Sequence, residues 1–325
     1  MSIIIFILIL FLFISYSRLS CGGHWFYFLF LGVVLRVVIP IPLAMDYFVY
    51  NIGNIYDYNF YGIEDIIIEP VLKIVYNFLY LFFQDKTQTV HFLYWLNFAT
   101  CTYLFYRISK YHIPFFKKML LFSFFYFLFT YVLLRNGIPY LLVFMFFYEL
   151  NNTEGTLKKL IVASFFHATA ALIFLVKIIF EIKLERLIVY GLAILVLLAI
   201  LAFNNVFVFD YIINKFSTYS EAQNDRSVFH VVWMFFIFGI FLWSFIENLA
   251  QSTTLFFITL MIVYIVLNYL NPVMGYRLSL YILMFYLTLP VKNLKIVKYV
   301  PDIDLVSFGL FFLLYINYSS THYLD

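Results

Sequence analysis

The stretch TTLFFITLMIVYIVLNYL, Thr253 to Leu270, carries no charged side chain from one end to the other. Wound as an α-helix at ~1.5 Å per residue it is about 27 Å long, close to the ~30 Å of hydrocarbon in a bilayer. It lacks the strict polar alternation of a half-buried strand, so it reads as a helix, and in lipid a helix satisfies its own backbone.

The same reading extends in both directions. Further apolar runs are Ser2 to Tyr16, His24 to Ile39, Val90 to Tyr106, Met119 to Leu134, Gly137 to Leu150, Leu160 to Phe180, Leu187 to Phe203, Val228 to Phe245, Leu278 to Pro290 and Leu305 to Ile316. Several are short, since a 15-residue helix covers only about 22 Å, and flanking Tyr, Trp and Lys must complete those spans. Glu69 to Phe83 is apolar too, but its Lys73, Asn77 and opening Glu-Pro make it a weaker span.

Composition agrees with this pattern. Of 325 residues 65% are apolar and 11% charged, where soluble domains have about 45–50% and about 25%. Mean hydropathy is +0.98, with 44 Phe and 29 Tyr. A soluble enzyme, a secreted disulfide domain and a disordered tail are excluded. The expected fold is all-α: a polytopic integral membrane protein, one transmembrane domain over residues 1–325. The net charge of +3 is too small and too dispersed to indicate nucleic acid. Cys21 and Cys101 are far apart and frame neither a metal site nor a disulfide scaffold. Ile3 to Ser15 resembles a signal peptide, but no Lys or Arg precedes it, so it is read as a retained span.

Orientation follows from the basic loops. Arg107, Lys110, Lys117 and Lys118 share one connection without an acid, which places it in the cytoplasm; Lys158-Lys159, Lys183 with Arg186, and Lys292, Lys295 and Lys298 mark three more. The stretch Asp46 to Glu69 holds five carboxylates (Asp46, Asp57, Glu64, Asp65 and Glu69) and no Lys or Arg, so it faces outward. Only one span then fits between Asp46–Glu69 and Arg107–Lys118. Val90 to Tyr106 takes that place, and Glu69 to Phe83 becomes an interfacial or re-entrant helix. Leu160 to Phe180 lies between basic loops at both ends and is expected to dip in and return around His167 to Ala171. The map has about ten spans and two partial helices, with outer loops 41–70 and 204–227 and tight outer corners at Arg135-Asn136 and at Asn271 to Arg277.

Three arginines stand at a similar depth on the outer side. Arg36 lies a turn before Pro40 and Pro42, Arg135 forms a hairpin tip with Asn136 and Gly137, and Arg277 follows Asn271, Pro272 and Gly275 and opens a helix. A guanidinium near hydrocarbon is costly and usually paired or functional, and its planar fork suits phosphate oxygens. Each arginine reads either as an interfacial anchor or as part of a diphosphate grip. Asp46 and Glu69 read as helix caps or as general bases. His167, between Phe166 and Ala168, is either a hydrogen-bonded structural histidine or a proton-transfer or sugar-contact group. Tyr47, Tyr50, Tyr56, Tyr58 and Tyr61 either stack on sugars or form a headgroup belt. Lys73 and Lys177 read as snorkelling residues, and His24, His91, His112, His230 and His322 have no metal-ligand spacing.

Arg36, then Asp46-Tyr47 and Tyr50, Glu69-Pro70, Arg135 with an apolar helix after it, Lys158-Lys159, and Phe166-His167-Ala168-Thr169-Ala170 leading into Leu172 and Ile173 form an ordered series. With Tyr276-Arg277 before an aromatic helix, this series resembles the EpsG-like, Wzy-type family of bacterial exopolysaccharide and O-antigen polymerases. The resemblance covers roughly residues 30 to 290, with Ala44 standing where the family tends to have glycine.

What the resemblance implies is a helical lipid-sugar glycosyltransferase (GT-C-like) fold in the bacterial inner membrane, with its site facing the periplasm. It implies transfer of a growing glycan from undecaprenyl diphosphate to the non-reducing end of another lipid-linked repeat unit. No cofactor, metal or nucleotide sugar is expected; the partners are the undecaprenyl-diphosphate-linked oligosaccharide, membrane lipids and a chain-length regulator. In that scheme Arg135 and Arg277 hold the diphosphate, Arg36 holds a phosphate or organises the loop carboxylates, and His167, Asp46 or Glu69 positions or deprotonates the acceptor hydroxyl. Tyr47 and Tyr50 would contact sugar. A flippase or transporter of lipid-linked oligosaccharide, and a membrane acyltransferase modifying the glycan, are the competing readings; the first would call for paired halves and polar residues through the midplane.

Overall fold

A computed structural model describes residues 23–43, 47, 70–113, 117–118, 121–152, 157–181, 231–232, 234–239, 251–270 and 272–288. The expected first span, the outer loop 204–227, the run Leu187 to Phe203 and the C-terminal run lie outside these residues, as do Asp46, Tyr50 and Glu69.

Among the described residues every regular element is helical and there is no strand. In chain order they are α1 (Gly23–Val38), a 3-10 turn (Ile41–Leu43), α2 (Pro70–Phe83), α3 (Lys86–Ser109), two π-helical segments (Leu121–Phe125 and Leu128–Val132), α4 (Gly137–Asn152), α5 (Lys158–Phe166), α6 (Ala168–Glu181), α7 (Gln251–Leu270) and α8 (Pro272–Thr288). One of these, over Thr253–Leu270, is by itself long and apolar enough to cross a bilayer; Pro70–Phe83, Gly137–Leu150 and Thr169–Ile178 are apolar but shorter.

The helix α4 is the hub, packing against α3, α5, α8 and the second π segment. Its sequence is apolar all round, and Ile138, Leu141, Phe144 and Phe147 are buried on different sides of it. A helix with no polar face gains by standing at the centre of a bundle. Around it α7 packs on α8, α6 reaches α7, and α2 leans on both α3 and α5. Phe147, Phe256, Phe257 and Phe285 interlock where α4, α7 and α8 meet, with the Phe147 and Phe285 rings edge-on at 4.9 Å. Edge-to-face contacts match the positive ring edge to the negative face.

Helix ends follow local chemistry. Asp85 is extended (φ −132°, ψ 125°) and its Oδ1 accepts from Gln88 N at 2.7 Å, an N-cap that starts α3. The preceding Gln84 has φ 50°, a left-handed conformation that lets α2 and α3 join through a two-residue link. Pro272 opens α8, where its missing N–H costs nothing. The outer corner expected over Asn271 to Arg277 is therefore shorter than the sequence indicated, and Arg277 stands within α8 rather than at its start. Gly275 serves packing there: a Cβ on it would lie 2.6 Å from Asn268 Cα of α7.

At the end of the bundle expected to be cytoplasmic, Tyr111 stacks flat on Tyr148 with ring centroids 3.9 Å apart, and Tyr148 Oη accepts from His112 N at 2.9 Å. Burial, with Glu149 beside it, pushes the Tyr111 phenol up to about 12. Lys117 is buried; its ammonium lies 4.3 Å from the Tyr286 ring centroid and donates to Tyr286 O at 3.1 Å, meeting the last turn of α8 where carbonyls are unpaired.

Candidate functional site

The corner at Arg135-Asn136 is built by the π-helical segment before it. Leu133 N donates to Leu128 O, five residues back, at 2.9 Å, and Leu133 itself is extended (φ −92°, ψ 122°). A π turn widens the helix and displaces carbonyls from the usual ladder. Asn97 of α3, buried in an otherwise apolar run, answers them: its Nδ2 donates to Phe129 O at 3.1 Å and to Leu133 O at 3.0 Å. Cys101 Sγ, one turn further on, donates to Asn97 Oδ1 at 3.4 Å and so fixes which way the amide points. The chain then enters α4 through Gly137, where a Cβ would overlap Phe129 O and lie 3.1 Å from Cys101 Sγ. Arg135 and Asn136 are left half-buried at the tip, and Asn136 Oδ1 is buried without a hydrogen-bond partner among the described residues.

From this corner a line of contacts reaches Arg277 and His167. Tyr140, in the first turn of α4, donates through its hydroxyl to Arg277 O at 3.2 Å. Its ring lies 4.4 Å from that of Tyr281, and the Tyr281 hydroxyl is 3.4 Å from Thr169 Oγ1. Thr169 stands just beyond His167, which is buried and extended (φ −156°, ψ 131°) between α5 and α6. His167 N donates to Ala163 O and Ala170 N donates to His167 O, each at 3.0 Å, so the interruption costs few backbone bonds. Helical conformation is thus interrupted at His167, inside the stretch where a dip and return was expected.

Arg36 has a different setting. It is buried near the end of α1, its guanidinium 5.3 Å from the Tyr131 ring centroid. Nη2 donates to Ile39 O at 3.0 Å and Nη1 to Tyr131 O at 3.4 Å, while Tyr131 Oη donates back to Gly32 O at 2.8 Å. Both terminal nitrogens are engaged by backbone carbonyls, one at the end of α1 and one in the π-helical segment. Arg36 therefore ties α1 to the segment that carries Arg135.

Tyr47 is buried against α3, with its ring 5.6 Å from His91 and 6.4 Å from Tyr94. The structure thus joins Arg36 to Tyr131 in the segment before Arg135, runs from the Arg277 backbone through Tyr140 and Tyr281 to Thr169, two residues beyond His167, and sets Tyr47 on α3. Asp46, Glu69 and Tyr50 lie outside the described residues. One basic residue differs from expectation. Lys73 is buried on the face of α2 that also buries Leu72, Tyr76 and Leu79, and does not snorkel. Lys177 lays its ammonium 5.8 Å from the Phe256 ring centroid. Among the described residues no three His, Cys, Asp or Glu side chains come close enough to hold a metal ion.

Sequence reading passed over Asn97, Tyr131 and Tyr140. An amide inside an apolar helix was a usable signal for Asn97, since such a group must find a partner. Nothing separated the two tyrosines from the many others. The chain matches no family model, no curated protein and no solved structure.

Proposed function

We propose that the chain is a polytopic inner-membrane glycosyltransferase of the polysaccharide-polymerase type, working on the periplasmic face. The acceptor hydroxyl attacks the anomeric carbon of the growing glycan and the C–O bond to the carrier breaks. Undecaprenyl diphosphate leaves, and the hydroxyl proton passes to a base. Since the diphosphate is already a good leaving group, the protein must chiefly stabilise the charge that gathers on it and hold the acceptor in line.

The observation that supports this reading is the contact between the start of α4, which follows Arg135, and the stretch of α8 that carries Arg277, made by the Tyr140 hydroxyl on the Arg277 backbone O at 3.2 Å. It brings the elements bearing Arg135 and Arg277, remote in sequence, to one end of α4. In the proposed roles these two hold the diphosphate, Arg36 braces the Arg135 segment, and His167, with Asp46 and Glu69 as the other bases, serves the acceptor hydroxyl. Membrane residence is supported by the outward faces of the helices, where Phe78, Leu81, Phe92, Leu96, Ile262 and Ile265 are all exposed. Exposed apolar side chains of this kind are stable when lipid covers them.

The test is glycan chain length in the native host. Deleting the gene leaves single repeat units on the final acceptor if the chain is a polymerase, none if it is a flippase, and full undecorated chains if it is an acyltransferase. Arg135→Ala and Arg277→Ala reproduce the polymerase deletion at normal protein level; full-length polymer from both sinks the diphosphate grip.

A further inference from the structure

One side of α3 faces away from the bundle. Among the described residues Phe92, Trp95, Leu96, Ala99 and Tyr103 are exposed there, while Leu93, Asn97, Cys101 and Leu104 are buried on the other side. The exposed positions recur every three or four residues and so form a single stripe along the helix. The stripe ends on two exposed cations, Arg107 in the last turn of α3 and Lys110 at its C-cap. Residues three apart on a helix have Cβ atoms ~5–6 Å from one another, so the two charges share one spot. Each is steadied by a tyrosine one turn earlier: Arg107 Nη1 donates to Tyr103 Oη at 3.3 Å, and the Lys110 ammonium lies 4.5 Å from the Tyr106 ring centroid. Neither makes an ion pair among the described residues, and the carboxylate within electrostatic reach of Arg107, that of Glu149, is bound to Lys159.

Two neighbouring cations at the foot of an apolar stripe match a molecule with an anionic head and a long hydrocarbon tail. From Phe92 to Arg107 the stripe rises about 22 Å, more than the ~15 Å depth of one leaflet, so an acyl chain can lie along it for its whole length with its phosphate level with the cations. We propose that this end of α3 binds an anionic phospholipid of the cytoplasmic leaflet, with the phosphate between the Arg107 guanidinium and the Lys110 ammonium and the chain against Tyr103, Ala99 and Leu96. A zwitterionic lipid offers the same phosphate but carries a cation of its own, which the two basic side chains repel, so the site prefers a head of net negative charge. The proposal rests on the membrane embedding put forward above and is independent of the polymerase reading.

The test is native mass spectrometry of the purified, delipidated full chain given equal amounts of phosphatidylglycerol and phosphatidylcholine with the same acyl chains, read as the ratio of the two bound forms. Wild type should favour phosphatidylglycerol. Arg107→Gln and Lys110→Gln should each lower the ratio about five-fold, the size of one basic residue's attraction to an anionic membrane surface. Lys110→Arg, which keeps the charge, should hold the wild-type ratio, and so should Lys86→Gln, which removes a cation from the opposite end of α3. A role confined to the helix dipole predicts no preference between the two lipids. The wild-type ratio in both Gln variants at the stripe overturns the site, and so does an equal loss in Lys86→Gln, which would reduce the attraction to net charge. If Arg107→Gln does not accumulate, Lys110→Gln decides alone with the same outcomes. A wild-type chain that stays in solution without detergent and retains neither lipid fails the membrane embedding and takes the site with it, whereas lipid bound without preference fails the site alone.

Discussion

Replacing Asn97 by alanine withdraws both amide donors from the carbonyls of Phe129 and Leu133. A buried acceptor left without a donor costs about 1–3 kcal/mol in soluble proteins. Polar bonds between membrane helices average only about 0.6 kcal/mol, because the freed groups find other partners. The local geometry decides between these values. Phe129 O keeps Cys101 Sγ at 3.5 Å as a weak substitute donor, but Leu133 is the extended residue leaving the π-helical segment and its carbonyl is off the helical ladder. The loss should therefore fall near the soluble figure for one carbonyl and near the membrane figure for the other, about 2 kcal/mol in all, or about 30-fold in the folding equilibrium. Titration of the purified protein from mild detergent into SDS, followed by reversible unfolding, measures it. Asn97→Asp, which keeps the shape but turns an acceptor toward two carbonyls, should be at least as damaging. An Asn97→Ala variant within about 0.5 kcal/mol of wild type would refute the claim that this amide holds the Arg135 corner, since surface-like changes stay within that margin.

Other substitutions probe the close approaches. Gly137→Ala should lose about 1–3 kcal/mol by overpacking, and adding Cys101→Ala should not restore it, because the nearer obstacle is the Phe129 backbone; the same SDS titration checks both. Gly275→Leu should separate α7 from α8, read as faster protease cleavage near Asn271, since the Cβ would meet Asn268 backbone at 2.6 Å. By contrast Lys159→Ala should shift stability by no more than about 1 kcal/mol, because Lys159 and its partner Glu149 are each about a quarter exposed and water screens the pair. A larger loss there in the SDS titration would show that the pair is more than a surface contact.

Part of this was legible in the chain. Uncharged runs predicted helices because hydropathy and period are local properties, and Glu69-Pro70 marked a helix start because proline acts on its own turn. The turn chemistry of Arg135-Asn136-Gly137 marked a corner for the same reason. The register of α8 was misjudged because Gly275 reads as a turn residue in sequence while its actual use, contact with Asn268, depends on another helix.

The amino-acid order alone determined that the described residues are helical and that the chain turns at Arg135-Asn136-Gly137, since both depend on residues within a few positions of one another. Only the tertiary structure decided that Arg36 is bound to backbone carbonyls, that Lys73 is buried, that Asn97 supports the corner and that His91 faces Tyr47. Those pairings, apart from the bond of Arg36 to Ile39, join residues on separate helices, and the spacing between such residues carries no record of which side chains meet.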